Sequence, residues 1–337
     1  MLPPHFKRWQ YEAGKLRLHQ AVMPEPGPGE VLLRIRAVAL NYRDLLVAEA
    51  RTHEAPPLVP ASDASGEVVA LGAGVTRFQV GDRALGHFIA GWHDGATDYA
   101  HIVSHSLGGT LPGVMAEYRL FDQADLVVPP DHLDHAEAST LPIAALTAWN
   151  ALFDGDGLKP GQNVIVQGTG GVSLFALQFA LAAGARVLLV SRSAAKLERA
   201  TALGQFVAID TRTTPDWSAE ALTATDGRGA ERIVEVVGAD NLARSVQALA
   251  WGGTIAWVGF LEGQSTLLPS PPDVLQRQAR LQGVVVGHRR AFEAMNRALS
   301  HHRIVPVIDA RYRFDALPTA FEHLRRGPFG KVVVTLD

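Results

Sequence analysis

The sequence predicts an α/β protein in two parts, and three observations carry that prediction. From residue 163 onward, short apolar runs alternate with helical stretches. A glycine-rich turn separates the first such run from the first such helix. The opening 130 residues show neither pattern and form short runs punctuated by glycine and proline. Regular alternation of strand and helix argues a parallel, doubly wound sheet, and the opening pattern argues a β-rich domain.

The elements follow in order. Glu30–Val38 alternates like a strand behind the turn Pro26-Gly27-Pro28-Gly29, and Ser65–Gly72 and Asp82–Gly86 add short strands. Residues 87–113 form a long irregular segment with several aromatic residues and histidines. Loops of that length are functional or mobile, so these side chains either roof a substrate cleft or pack on the surface. Asp134–Phe153 reads as helical with a break at Pro142. Strands are expected at 163–166, 186–190, 206–209, 232–237, 253–258 and 281–286, with helices at 172–183, 194–203, 216–225 and 240–249 between them. The tail mixes both types: helix Arg289–Ser300, strand Val305–Ile308, helix Leu317–Arg326 and strand Lys331–Thr335.

The turn itself reads Gln167-Gly168-Thr169-Gly170-Gly171-Val172-Ser173. Asn163–Val166 precedes it, and an apolar helix closed by Gly184 follows. Strand, glycine turn and helix open a dinucleotide-binding unit. Small residues let the backbone of Gly168, Thr169, Gly170, Gly171 and Val172 approach a pyrophosphate, and the helix N-terminus offers it free N–H groups. The next strand ends at Ser191-Arg192-Ser193, where an NAD-binding unit usually places an acid for the ribose hydroxyls. Ser193 is the expected N-cap of the following helix. Lys196 in its first turn is disfavoured by the helix dipole unless an anion is bound there. Ser191, Arg192 and Lys196 therefore point to NADP, with Arg212 after the third strand as a further positive contact.

Composition bounds the remainder. The chain has 337 residues, 47% hydrophobic and 19% charged, as in a globular enzyme of about two domains. A net charge of −3 gives no electrostatic case for nucleic acid or an anionic membrane surface. Met1–Trp9 carries no secretory pattern, and no apolar run is long enough to span a bilayer, so the expected location is the cytoplasm. With no cysteine there is neither a disulfide nor a thiolate to hold zinc. The thirteen histidines include His101 and His105 four apart and the adjacent His301 and His302, but no compact motif converges three ligands, so no metal is expected. The apolar run Val284-Val285-Val286 either forms an exposed sheet edge that pairs in a homodimer or is covered by the returning chain.

Several landmarks stand in order: Glu30-Val31-Leu32-Leu33, Leu40-Asn41-Tyr42-Arg43-Asp44, Gly66-Glu67-Val68-Val69, Gly72-Ala73-Gly74-Val75, Val80-Gly81-Asp82-Arg83, Leu141-Pro142 through Thr147-Ala148-Trp149, the glycine turn, and Gly330-Lys331-Val332-Val333-Val334. In these the chain resembles the medium-chain dehydrogenase/reductase superfamily, on its zinc-independent, quinone oxidoreductase-like side. The resemblance implies a GroES-like substrate domain from both termini (1–130 and 271–337) and a Rossmann-like domain between them (131–270). It also implies that Asn41 and Tyr42 lie near the nicotinamide, and that Thr147, Gly259, Phe260 and Lys331 approach the cofactor. Zinc-dependent members carry a Cys where Asn41 stands and Gly-His-Glu where Ala61-Ser62-Asp63 stands. Ser173 departs too, at a position where many relatives have the last glycine of the turn.

Without zinc no strong Lewis acid polarises a simple carbonyl. Hydride transfer from NADPH then suits acceptors that already spread negative charge, namely quinones and α,β-unsaturated carbonyls. Tyr42 is the candidate proton donor, because a phenol can serve without a metal. Its bland alternative is a buried tyrosine with a satisfied hydroxyl, and for Asp44 and Asp63 it is a turn cap or a partner for Arg43. Two other functions remain open: carbonyl or alcohol chemistry without zinc, and a non-catalytic NADPH-binding role. Residues 87–113, Asn41, Phe260 and His288 are expected to shape the substrate pocket.

Overall fold

A computed structural model describes residues 2–238, 240–259, 261 and 269–336. The chain divides into two compact units, residues 1–144 with 288–337, and residues 145–287.

The first unit opens with a hairpin, β1 (His5–Glu12) and β2 (Lys15–Val22). Its tight turn needs a positive φ at both Ala13 (47°) and Gly14 (72°). Then come β3 (Glu30–Leu40), α1 (Tyr42–Glu49), β4 (Asp63–Leu71), β5 (Arg83–Gly86), α2 (Tyr99–Ser104), β6 (Tyr118–Asp122), β7 (Leu126–Val127) and α3 (His135–Ala138).

The second unit comprises α4 (Leu146–Phe153), β8 (Asn163–Gln167), α5 (Gly171–Ala182), β9 (Arg186–Ser191), α6 (Ala194–Ala200), β10 (Val207–Asp210), α7 (Trp217–Ala224), β11 (Ala230–Glu235), α8 (Asn241–Ala248), β12 (Leu249–Trp257), α9 (Pro271–Arg277) and β13 (Arg280–Gly283). All its strand pairs are parallel, in the order β10-β9-β8-β11-β12-β13. The order reverses between β8 and β11, and ligands of such sheets bind beyond the carboxyl ends at that switch point. Burial on both faces explains why β8 reads as an unbroken apolar run. Ile165, Leu188, Ile233 and Ile255 from four neighbouring strands form the core with Trp217 and Leu242 from the helices.

The chain then returns to the first unit with α10 (Arg289–His302), β14 (Ile308–Arg313), α11 (Leu317–Arg325) and β15 (Lys331–Thr335). The sheet there runs β14-β15-β3-β4-β5-β7, with β6 also on β3. β3 and β15 are mostly buried, and Leu33, Ile35, Val38, Val332 and Val334 share one core cluster.

The fold class is α/β as expected, with several shifts in detail. The unit boundaries fall at 144/145 and 287/288 rather than near 130 and 270. The reason at the first is that α3 packs on β3, β4 and β15. At the second, β13 pairs with β12 and so holds that stretch in the parallel sheet. The sixth strand stops at Gly283 instead of reaching Val286, whose φ of 53° breaks the extended run and whose carbonyl accepts a hydrogen bond from Asn150. The strand expected at Val305–Ile308 begins only at Ile308, because Pro306 cannot donate to a ladder. The helical stretch 134–153 is α3, a π-helical turn over Leu141–Ala145 containing Pro142, and α4.

Candidate active site

Each unit carries a buried polar centre at the end of its sheet. In the second unit the centre lies at the carboxyl ends of β8, β9, β11 and β12. Gly168 leaves β8 with φ 76°, and its N–H donates to the Val190 carbonyl at 2.7 Å, which holds the turn against β9. Gly170 is the N-cap of α5 and has no side chain with which to cap it. A Cβ at Gly170 would meet no protein atom within 4 Å, so it would project into the open space over the turn. The first-turn amides of Gly171, Val172 and Ser173 have no intrahelical acceptor. Thr169 is buried within the turn. This cradle fits a pyrophosphate.

Ser173 does more than stay small. Its hydroxyl donates to the Gln167 carbonyl at 2.6 Å and closes the turn from inside. Gly259 receives its shape from the same end of the sheet. Its N–H donates to the Glu235 carbonyl, and a Cβ there would come within 2.6 Å of the Val236 carbonyl oxygen. Phe260 lies outside the described residues. Thr147 is buried on α4.

β9 ends at buried Ser191, whose hydroxyl oxygen accepts from the Ser193 N–H at 3.3 Å. Ser193 is the N-cap of α6 by position but makes no side-chain cap. Arg192 is exposed, and Lys196 is half-buried in the first turn of α6. Asp210 sits opposite Ser191 in the β9–β10 pairing, so an acid does stand beside this strand end. One of its carboxylate oxygens already accepts from the Arg212 N–H at 2.9 Å. Arg212 is exposed, and the Thr211 N–H donates to the Ser191 carbonyl, which ties that loop to the end of β9.

One residue of this centre has no counterpart among the sequence candidates. Glu235 ends β11 and is fully buried. Its carboxylate accepts from the Val237 and Gly238 amides, the Gln167 and Asn241 side-chain amides and the Ser245 hydroxyl. Asn241 in turn accepts from the Trp217 indole at 3.0 Å. The sequence signal was faint: Glu235 follows the apolar pair Ile233-Val234, and an acid is almost never fully buried unless it is paired.

In the first unit, strand pairing assembles the centre. β15, β3 and β4 are consecutive neighbours, with Val332 opposite Leu40 and Asp63 opposite Ala39. Lys331, Asn41 and Asp63 therefore meet at one end of the sheet. The Lys331 ammonium is buried and donates to the Leu40 carbonyl at 2.7 Å and to Asn41 Oδ1 at 2.6 Å. Asp63 accepts from the Ser62 hydroxyl and the Ile143 N–H. Asn41 Nδ2 is buried toward Asp63 without a hydrogen bond of good geometry. Asn41 is also the N-cap of α1. Its N–H donates to Asp44 Oδ2 at 2.8 Å, and the Asp44 N–H donates to the Asn41 carbonyl. Arg43 donates to the Leu107 carbonyl, pairs with Asp44 at 3.4 Å and lies over the Phe88 ring.

Charge in this centre is only partly compensated. Burial pushes the Asp44 carboxyl up to about 6, against the lowering effect of Arg43 and the Asn41 N–H. Burial raises Asp63 as well, opposed first by Lys331. Lys331 is held below the usual ammonium range by burial, opposed by Asp63 and Asp44. Tyr42, the first residue of α1, is 46% exposed, so its ring is not the buried tyrosine of the bland alternative. Asp44 is both a turn cap and a partner of Arg43.

Segment 87–113 is pinned. Asp125 accepts from the Gly91 N–H and pairs with His93 at 3.0 Å. The Arg289 and Arg290 amides donate to the Trp92 and His93 carbonyls. His288 caps α10 and packs its ring edge-on to Trp92. His101 and His105 stack on each other with centroids 4.1 Å apart. Among the described residues, no group of three or more His, Cys, Asp or Glu side chains could hold a metal ion, and no helix is long and apolar enough to cross a membrane.

Two family models match the chain: an alcohol dehydrogenase GroES-like domain over residues 27–131, and a zinc-binding dehydrogenase domain over residues 171–301. A zinc-type alcohol dehydrogenase-like protein of Schizosaccharomyces pombe is 40% identical over 92% of this chain and 92% of its own. A quinone oxidoreductase-like protein 2 homolog of Nematostella vectensis is 30% identical over 91% of this chain and 82% of its own. Among solved structures, one from Sinorhizobium meliloti, provisionally assigned as an alcohol dehydrogenase, is 43% identical with a TM-score of 0.94 over 100% of both chains. An NAD-dependent alcohol dehydrogenase is 31% identical with a TM-score of 0.86, covering 98% of this chain and 99% of that one. With the glycine turn at the switch point of a parallel sheet and these relatives along its length, the chain belongs to the medium-chain dehydrogenase/reductase superfamily and is an oxidoreductase of that family.

Proposed function

We propose that this protein is a zinc-independent, NADPH-dependent reductase of activated double bonds or quinones. The end of β9 carries the cofactor choice: Ser191 and Arg192 stand where an acid would accept from the ribose hydroxyls, and Lys196 and Arg212 add positive charge. The amides of the Gly170–Ser173 turn bind the pyrophosphate, and Arg192 and Lys196 donate to the 2′-phosphate. When bound, the cofactor supplies the hydride.

Zinc does not fit. Asn41 and Ser62 are poor zinc ligands, the chain has no cysteine, and the Asn41 amide oxygen is already engaged by Lys331. The remaining groups suit an acceptor whose conjugation already disperses charge. The exposed Tyr42 hydroxyl donates the proton that completes addition. Tyr42→Phe is expected to lower turnover by about tenfold or more, and unchanged turnover removes Tyr42 from the mechanism.

The reading is tested by incubating the protein with NADPH and a cyclic enone and identifying the product. A saturated ketone supports it. An allylic alcohol moves the protein to carbonyl chemistry, the second reading, which the relatives named alcohol dehydrogenases favour. A parallel titration with NADH tests the cofactor, because Asp210 beside Ser191 and the NAD-dependent neighbour speak for NAD.

We further propose a cytoplasmic homodimer formed along the outer edge of β13, where Leu281 and Val285 are exposed apolar residues. A monomeric mass in solution overturns the dimer.

A further inference from the structure

We propose that Glu235 is a positioning residue for the dinucleotide, a role that rests on the reading above. Three backbone segments frame the carboxyl ends of the strands beside the switch point, and Glu235 holds each of them. The glycine turn after β8 is held through the Gln167 side-chain amide, at 2.9 Å. The loop after β11 is held through the Val237 and Gly238 amides, at 2.8 and 3.0 Å. The segment after β12 is held through the Glu235 carbonyl, which accepts from the Val258 and Gly259 amides. Asn241 and Ser245 fix the same carboxylate to α8.

Among the described residues, every hydrogen-bond partner of the carboxylate is a donor, which suits an acceptor-only side chain. All these donors are neutral, and no basic side chain is among them. A buried charge is weak evidence for stability, since a well-packed apolar side chain often serves as well. The carboxylate instead ties the glycine turn, the loop after β11 and α8 to one another, through five donor groups whose directions an apolar residue could not fix. Gln167 is held at its side-chain amide by Glu235, Ser245 and Asn241 and at its carbonyl by Ser173, so the start of the glycine turn has little freedom. Glu235 is fully buried and is not a catalytic residue. It acts through the loops.

The test is Glu235→Gln in the full chain, with NADPH as the titrant and its fluorescence as the readout. The variant keeps volume but turns an N–H₂ toward donors. The proposal expects the NADPH dissociation constant and KM to rise by about tenfold, with kcat at saturating NADPH within about threefold of wild type. Asn241→Ala, which removes a donor shared by both carboxylate oxygens, is expected to shift the same constant in the same direction by less, and it decides the matter if the first variant does not fold. A fall in thermal stability with the wild-type dissociation constant retained assigns Glu235 to packing alone and overturns the proposal. If the wild-type protein binds no NADPH, both this role and the cofactor reading fail. If only the variants bind like wild type, this role fails and the reading stands.

Discussion

The two polar centres solve one problem, a carboxylate taken out of water, in opposite ways. Around Glu235 every hydrogen-bond partner among the described residues is a neutral donor, so the carboxyl is met by oriented dipoles from several segments. Around Asp44 and Asp63 the partners include Lys331 and Arg43, and two acids share them. Burial outweighs these partners, and both acids rise above their ordinary values. Neutral donors from several segments yield a fixed frame, whereas burial beside Lys331 and Arg43 leaves two acids raised from their ordinary values. The first arrangement suits holding backbone in register, and the second suits a site whose protonation matters.

Removing the cation should break that contrast most severely. Lys331→Met leaves Asp63 and Asp44 buried without it and frees the Asn41 amide oxygen. Loss of one partner of a buried ionic cluster costs about 3–5 kcal/mol, so urea denaturation should show a drop of that order. A drop of under about 1 kcal/mol would mean that water, not Lys331, compensates the acids.

Next in size is the pH response of Asp44. Its carboxyl titrates near 6 in the folded protein against an ordinary 3.8, chiefly through burial. Between these values the folded protein keeps a proton that the unfolded chain has released. The contribution to stability is therefore complete below about 4 and is lost as pH rises through about 6. Asp44→Asn cannot titrate. Its stability relative to wild type should thus increase by about 3 kcal/mol between pH 4 and pH 7, a difference that cancels all other titrating groups. A pH-independent difference would show that Asp44 is solvated.

The contrast also explains what the sequence reveals. Buried parallel strands such as β8 and β9 are apolar runs bounded by turn residues, so their positions can be read directly, and the glycine turn follows from its neighbours. The Lys331 centre cannot be read this way. Its residues lie at 41, 63 and 331, and only the pairing of β15 with β3 and of β3 with β4 brings them together. Family resemblance draws attention to Lys331, and the structure adds that its ammonium donates to the Leu40 carbonyl and Asn41 Oδ1. Glu235 was hard to see for a related reason: its partners come from a strand, a turn and a helix, and no spacing rule encodes five convergent donors. Pro306 misplaced a strand because an apolar run reads as extended whether or not its amides can join a ladder.

Ser173 offers the finest test of the frame around Glu235. Relatives with glycine at this position lack a hydroxyl, yet here it donates to the Gln167 carbonyl at 2.6 Å. Ser173→Ala deletes that bond and keeps a Cβ that the helix already accommodates. A neutral hydrogen bond contributes about 1 kcal/mol, and alanine returns part of that through its better helix propensity. The expected loss is thus about 0.5–1 kcal/mol, read by urea denaturation. Because Glu235 still holds the Gln167 amide, NADPH affinity should fall by no more than about threefold. A tenfold fall would shift control of the glycine turn from the buried carboxylate to the serine, and the frame would then be local to one turn rather than shared with the loop after β11 and α8.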